Sequence, residues 1–197
     1  WGVAFLPGTD KILKPETILH ELGFDSFTSY VWIHHHYPTD FPRTDYGFVC
    51  EKYFEYWDSV HGEYGLPYYP NVTMGWDTSP RTVQSDVFRP LEYPFMATLG
   101  NNTPENFEKA LEMVRDKLIE QSPEGDRIVT INAWNEWTEG SYLEPDTENG
   151  YGYLEAIRRV FGVSKEMHVS GAQAAGDKSL AQPSNWRAFA TEEGGQS

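Results

Sequence analysis

The chain has 197 residues and carries 15 basic against 30 acidic side chains, which gives a formal net charge of −15 at pH 7. That length suffices for one domain with a real hydrophobic core. The charge argues against binding to nucleic acid or to an anionic membrane surface, because both are themselves negatively charged. No run of about 18 apolar residues is present, so the sequence predicts no membrane-spanning helix. A single cysteine, Cys50, excludes an internal disulfide, and its place on a predicted helix face favours packing over chemistry.

Hydrophobic patterning predicts strands and helices that alternate along the chain. Runs that are apolar on both faces indicate strands covered on two sides, and apolar residues at helical spacing indicate helices. The predicted strands cover residues 2–6, 24–33, 68–75, 93–99 and 128–132. The predicted helices cover residues 15–22, 49–60, 104–118 and 150–161. Their predicted buried faces are formed by Val49, Tyr53, Tyr56, Trp57 and Val60, then by Phe107, Ala110, Leu111, Val114 and Leu118, then by Leu154, Ile157 and Phe161.

This order of elements predicts an α/β fold built from repeated β/α units with right-handed crossovers. Three or four such units make half of a (β/α)8 TIM-type barrel, and we assign residues 1–162 to the C-terminal half of one. A half barrel leaves open strand edges, so we expect the N-terminal half of the barrel to precede Trp1 rather than to come from a second chain. Residues 163–197 change to Ala, Gly, Ser, Gln and Lys, which predicts a loosely ordered tail or the start of another segment.

The strongest functional signal follows the predicted strand at 128–132. There the chain turns abruptly into Asn132-Ala133-Trp134-Asn135-Glu136-Trp137-Thr138-Glu139-Gly140. Side chains that follow a strand at its C-terminal end form the active site of α/β barrels. Two carboxylates three residues apart suit glycoside cleavage, which needs one acid and one nucleophile or base. Trp134 and Trp137 would exclude water and raise the pKa of one carboxyl group; alternatively, the glutamates cap a helix or lie in solvated salt bridges.

Other strand ends carry further candidate binding residues. Trp76, Asp77 and Arg81 follow the predicted strand at 68–75; they either bind sugar hydroxyls, with Trp76 stacking, or brace the loop through an Asp77–Arg81 pair. His34 and His36 would point to the same side of an extended chain, but no further ligand lies at a standard spacing, so we favour a polar pocket lining over zinc. The residues expected to bind substrate are His34, Trp76, Asp77, Arg81, Trp134, Asn135, Trp137, Tyr142 and Glu144.

Three stretches of this sequence together resemble a known family. They are Gly75 to Arg81, Asn132 to Asp146 (Asn-Ala-Trp-Asn-Glu-Trp-Thr-Glu-Gly-Ser-Tyr-Leu-Glu-Pro-Asp) and Gly150 to Ala156. Over roughly residues 25–162 the chain is similar to the WbsX-type proteins of the glycoside hydrolase family 99-like group, allied to the endo-α-mannosidases. The resemblance implies a (β/α)8 barrel that uses neither metal nor cofactor.

The resemblance also implies roles for the two glutamates. Glu136 would deprotonate the sugar's own 2-hydroxyl to give an anhydro-sugar intermediate, and Glu139 would be the acid and later the base toward water. The sequence departs from the endo-α-mannosidases at Thr138, where those enzymes have His, and continues differently at Glu144-Pro145-Asp146. These departures put mannose specificity in question more than the chemistry.

Three functions are therefore compatible with the sequence. The first is a retaining, endo-acting glycoside hydrolase that acts on an oligo- or polysaccharide through Glu136 and Glu139. The second is a glycosyltransferase of surface-polysaccharide (O-antigen type) biosynthesis, although no Gly-rich phosphate loop or Asp-x-Asp motif is visible. The third is a non-catalytic carbohydrate-binding fragment. The compartment depends on what precedes Trp1: secreted or periplasmic with a signal peptide, cytoplasmic without one.

Overall fold

The computed structural model describes residues 15–122 and 125–162. The predicted strand at 2–6 and the predicted tail at 163–197 lie outside these ranges. The helices are α1 (Pro15–Glu21), α2 (Tyr46–Val60), α3 (Pro104–Gln121) and α4 (Gly152–Phe161). The strands are β1 (Phe27–Thr28), β2 (Arg43–Asp45), β3 (Tyr68–Tyr69), β4 (Asn71–Thr73), β5 (Thr98–Gly100), β6 (Thr130–Asn132), β7 (Asn135–Glu136) and β8 (Ser141–Tyr142). None of the helices in the described ranges combines the length and apolar composition needed to cross a bilayer.

The strands pair in four short ladders. Three ladders are parallel, β1 with β3, β2 with β5 and β4 with β6, and the fourth is the antiparallel pair of β7 with β8. In the β4–β6 ladder Asn71 lies opposite Thr130 and Thr73 opposite Asn132. Parallel pairs separated by helices are the arrangement that the β/α order predicts. A closed (β/α)8 barrel stays a prediction.

Polar side chains connect three neighbouring strands on one face. The Thr28 hydroxyl donates to the carbonyl of Tyr69 (2.7 Å) and lies 3.1 Å from the Thr130 hydroxyl. The Asn71 side-chain amide donates to the Thr130 hydroxyl (3.2 Å), and the Thr73 hydroxyl donates to the Asn71 side chain (2.9 Å). Because each of these buried or part-buried groups has a partner, the network fixes the relative positions of β1, β4 and β6 without leaving an unsatisfied polar atom among them.

The apolar core lies between the strands and α2 and α3. The predicted α3 stripe is buried in full, and Thr103 caps the helix by accepting a hydrogen bond from the Asn106 N–H. The predicted α2 stripe is buried except for the half-buried Tyr56. Cys50 is buried on α2, and burial raises the pKa of its thiol to about 12, so its assignment to packing is confirmed.

The buried face of α4 differs from the predicted one. Tyr153, Ala156 and Val160 are buried, whereas Leu154, Ile157 and Phe161 are only partly buried. The face is set by α3: the Tyr153 ring meets Phe107 edge-on, with ring centroids 5.6 Å apart, and its hydroxyl donates to the Asn102 carbonyl. The buried residues keep the predicted helical spacing, but each lies one position earlier in the chain, on the face that packs against α3.

Three predicted strands, at 24–33, 68–75 and 93–99, are shortened or interrupted. The strand predicted at 24–33 is reduced to β1 because the chain then turns into a 3₁₀ turn at Trp32–His34. The Trp32 N–H donates to the Thr73 hydroxyl (2.9 Å) and its indole N–H to the Asn71 carbonyl (2.8 Å), so tertiary bonds replace a ladder there. The strand predicted at 68–75 is interrupted at Pro70, which has no N–H to donate. The strand predicted at 93–99 begins only at Thr98.

The histidine run lies in and after this 3₁₀ turn, so the prediction that His34 and His36 share one side of an extended chain is wrong. His35 stacks on Tyr56, with ring centroids 3.7 Å apart. Burial, and then the neighbouring His34, lower the pKa of His35 to about 4, and burial also lowers the pKa of His34.

We predict a pH-dependent stability from His35. Its pKa is about 4 in the folded protein against the ordinary value of 6.5, so between these pH values the unfolded chain binds a proton that the folded protein does not. The free energy of unfolding should therefore fall by on the order of 1–3 kcal/mol as pH decreases from about 6.5 to 4. His35→Phe keeps the stacking and removes the titration, so urea unfolding of this variant should show a shallower loss. An identical slope in both proteins would contradict this assignment.

Candidate functional site

The segment that follows β6, residues 133–146 (the Glu-rich loop), folds back on itself. Its first part forms β7 and pairs with β8, and the 3₁₀ turn Trp137–Glu139 connects the two strands. The Ser141 hydroxyl is 2.7 Å from both the carbonyl and the side-chain oxygen of Asn132, which ties the returning strand to the end of β6. The loop therefore holds Glu136 and Glu139 on a short, internally bonded hairpin at the C-terminal end of β6.

A second segment, Gly75 to Arg81, lies directly against this loop. The Asp77 N–H donates to the Glu139 carbonyl at 2.6 Å. A Cβ atom on Gly75 would lie 2.3 Å from the Gly140 carbonyl oxygen, and one on Gly140 would lie 2.6 Å from the Asp77 Cβ. Gly140 also has a φ of +61°, a conformation that side chains other than glycine's make costly. The two backbones meet at a distance that only glycine allows.

Arg81 joins the two glutamates. Its terminal nitrogen Nη2 is 3.3 Å from Glu139 Oε1 and 3.7 Å from Glu136 Oε2. Its Nε donates to the hydroxyl of Thr138 at 3.0 Å, and its guanidinium lies over the Tyr93 ring, 5.8 Å from the centroid. Both carboxylates thus converge on one cation, and Glu139 is the more buried of the two.

Glu139 has a further neighbour from a distant part of the chain. The Tyr93 hydroxyl donates to Glu139 Oε1 at the long distance of 3.5 Å. The segment that carries Tyr93 is fixed by the Thr78 hydroxyl, which donates to the Pro94 carbonyl at 2.6 Å. Glu139 is only 9% exposed, so this carboxylate is largely removed from water and held among a tyrosine hydroxyl and a guanidinium.

Two tryptophans of the Glu-rich loop face solvent rather than shielding the glutamates. Trp134 and Trp137 are both 44% exposed, which corrects the expectation that they exclude water from the pair. The Trp137 ring stacks on Tyr142, with centroids 3.7 Å apart and planes 15° apart, and its indole N–H donates to Glu144 at 2.6 Å. Tyr142 covers one face of the Trp137 ring, and the hydrogen bond to Glu144 fixes the orientation of the ring. Trp137 is therefore a rigid, partly exposed aromatic surface of the kind on which sugar rings stack.

Two of the residues expected to bind substrate, Trp76 and Asp77, make structural contacts instead. Trp76 is 4% exposed and its indole N–H points to the Met96 sulfur, so we assign it to the core rather than to sugar stacking. The Asp77 carboxylate accepts from the N–H of Ser79, the first residue of the 3₁₀ turn Ser79–Arg81, at 2.8 Å. Among the described residues Arg81 pairs with the two glutamates and not with Asp77, so the alternative of an Asp77–Arg81 brace is wrong.

Asn135 is next to Glu136 in the chain, whereas His34 lies against Tyr30. Asn135 is exposed on β7, immediately before Glu136, where its side chain is available to a ligand. The ring of His34 lies against Tyr30, with centroids 5.8 Å apart, and no ion pair or hydrogen bond connects His34 with either glutamate in the described ranges. Over those ranges no group of three or more His, Cys, Asp or Glu side chains is placed to hold a metal ion.

Two contacts at the site were absent from the sequence-based prediction. Thr138 was noted only as a departure from related enzymes, yet its hydroxyl accepts the hydrogen bond from Arg81. Its position between the two glutamates was the signal that could have found it. Tyr93 is 46 residues from Glu139, and no local pattern distinguishes it from the other tyrosines of the chain.

The arrangement brings together paired carboxylates, hydrogen-bonding side chains and an exposed aromatic surface at the C-terminal end of parallel strands. The sequence profile of the family described as "Glycosyltransferase WbsX" matches residues 22–157, and the chain belongs to this family. That description assigns the family to carbohydrate chemistry.

Two curated relatives are similar over a shorter stretch. Both are described as "Uncharacterized protein WxcX", from two strains of Xanthomonas campestris pv. campestris, and each is 36% identical to this chain over 92 residues. The aligned part is 46% of this chain but only 12% of each relative, so the chain matches only a small part of the length of these relatives.

We predict that the close approach at Gly140 is required for the site. Gly140→Ala places a Cβ 2.6 Å from the Asp77 Cβ and also strains a positive φ, so the free energy of unfolding should fall by about 2–4 kcal/mol. Gly150→Ala is a matched control, because Gly150 has a φ of +56° but nothing within 4 Å of an added Cβ. It should cost only about 1 kcal/mol. Equal losses by urea unfolding would show that backbone conformation alone, not contact with Asp77, requires glycine.

Proposed function

We propose that this chain carries the acid–base pair of a retaining, endo-acting glycoside hydrolase. The observation that supports the proposal most directly is the convergence of Glu136 and Glu139 on a single guanidinium nitrogen. Two oxygens held at 3.3 and 3.7 Å from one atom are at most about 7 Å apart, which admits the ~5–5.5 Å separation of carboxyl groups in retaining glycosidases.

The roles of the two glutamates follow from the resemblance to the endo-α-mannosidases and from burial. Glu136 takes the proton of the sugar's 2-hydroxyl, the 2-oxygen bonds to the anomeric carbon, and the bond to the leaving oxygen breaks. Glu139 gives its proton to that leaving oxygen and then takes one from the water that opens the anhydro-sugar, while Glu136 returns its proton to the 2-oxygen. The more buried position of Glu139 suits an acid, because removal from water favours the neutral carboxyl group.

The remaining parts of the site fit a polysaccharide substrate. The exposed Trp137 surface, fixed by Tyr142 and Glu144, would stack on a sugar ring next to the bond that is cleaved. Asn135 would bind a hydroxyl of the same substrate. We also propose that the three parallel ladders are part of a (β/α)8 barrel, because the Glu-rich loop and the Gly75–Arg81 segment follow neighbouring strands, β6 and β4.

A transferase is the second candidate, because the family is described as a glycosyltransferase. Incubation of the protein with an acceptor glycan, with and without a nucleotide-sugar donor, separates the two. Turnover that depends on the donor would replace the hydrolase proposal. Reducing-end release without a donor supports it.

We predict a leaving-group dependence for Glu139→Gln. A general acid matters most when the leaving group is poor, so the variant should lose about 10²–10⁴-fold in turnover of a polysaccharide and far less on an activated aryl glycoside. Glu136→Gln should abolish turnover of both substrates while glycan binding persists. Glu112→Gln, on the exposed side of α3, is the control and should retain full activity.

The activities of Glu139→Gln and Glu136→Gln can support or exclude the proposed roles of the two glutamates. Equal losses of Glu139→Gln on the two substrates would remove Glu139 from the acid role. A fully active Glu136→Gln variant would exclude the pair as the catalytic machinery. Glycan affinity without turnover in the parent chain would instead support a binding fragment.

A further inference from the structure

The position of Arg81 between two carboxylates depends on one neutral side chain. Arginine side chains are long and flexible, and a partly exposed guanidinium would otherwise move among several positions. Here the Arg81 Nε donates to the Thr138 hydroxyl at 3.0 Å, while the terminal nitrogen reaches both glutamates. Thr138 lies on the same 3₁₀ turn as Glu139, so its oxygen is fixed relative to the carboxylates that the cation serves.

The position of the Arg81 guanidinium matters because charged groups surround it. The groups that face the guanidinium are Glu136 and Glu139 from the Glu-rich loop and the Tyr93 ring from the neighbouring segment. Asp77, on the segment that carries Arg81, turns its carboxylate to the Ser79 N–H. Two carboxylates this close repel each other, and a cation between them offsets part of that repulsion. The location of the cation therefore decides how strongly the two carboxylates repel each other.

We infer that Thr138 is a positioning residue that holds Arg81 between Glu136 and Glu139. The inference rests on the proposed function for its kinetic consequence, but the anchoring itself is independent of turnover. A hydroxyl at this position supplies an acceptor to the arginine Nε, whereas a methyl group cannot.

The test compares Thr138→Val with Thr138→Ser. Valine keeps the shape of threonine and removes the acceptor oxygen, and serine keeps the oxygen. The Arg81 Nε–H is observed by NMR in the ¹⁵N-labelled chain and assigned by its loss in Arg81→Lys. We expect its exchange with solvent to be about ten-fold or more faster in Thr138→Val than in the parent, because the hydrogen bond to a charged group is lost. Thr138→Ser should exchange at nearly the parent rate.

Turnover assays separate a positioning role from a merely structural contact. Thr138→Val should lower kcat more than it changes KM, because the cation contacts the carboxylate pair rather than the substrate. Thr138→Ser should keep the parent values of both.

Several outcomes are distinguishable. Unchanged exchange of the Arg81 Nε–H in Thr138→Val overturns the inference. Faster exchange with an unchanged kcat overturns it as well, since Thr138 would then be only a structural contact. Faster exchange in Thr138→Val, in a parent protein that has no turnover on any glycan, supports the anchoring by Thr138 and counts against the proposed hydrolase.

Discussion

The hydrogen bond from the Asp77 N–H to the Glu139 carbonyl, at 2.6 Å, joins two segments that are more than sixty residues apart in sequence. It forms only because Gly75 and Gly140 leave room for the backbones to approach, and because the 3₁₀ turn after β7 presents its carbonyl outward. Once the segments are joined, the side chains that follow β4 and the side chains that follow β6 lie within hydrogen-bonding distance of one another. The contact between Arg81 and the glutamates is a consequence of this junction.

The electrostatics of the site follow from the same junction. Two carboxylates that converge on one cation repel each other, and Glu139 is also largely removed from water. The guanidinium at 3.3 and 3.7 Å attracts both carboxylates and offsets part of that repulsion. The electrostatics of the site therefore depend on where Arg81 lies. This is a suitable basis for chemistry in which one carboxyl group must hold a proton and the other must accept one.

The scaffold beneath the site supports the junction with polar and apolar contacts. Thr28, Asn71, Thr73 and Thr130 bond across β1, β4 and β6 on one face. On the helical side, α2 and α3 contribute fully buried aromatic and aliphatic residues such as Trp57 and Phe107. The hydrogen bonds give the strands a fixed register, and the apolar contacts supply most of the free energy of burial. Site residues that begin at strand ends are therefore placed by the most constrained part of the chain.

The amino-acid sequence by itself determined the four described helices, the buried faces of α2 and α3, and the identity of Glu136 and Glu139 as a pair on one loop, whereas β2, β7 and β8 lie outside the predicted strands. The predicted features depend on residues near each other in the chain, where periodicity, caps and turns act directly. Tertiary structure alone decided where β1 ends, which face α4 buries, that Trp76 is core, and that Arg81 pairs with the glutamates rather than with Asp77. Each of those outcomes depends on a partner brought from a distance: Thr73 for Trp32, Phe107 for Tyr153, Met96 for Trp76 and Thr138 for Arg81. Local pattern contains no information about such partners, because contacts between distant segments are selected by packing and hydrogen-bond satisfaction across the whole fold.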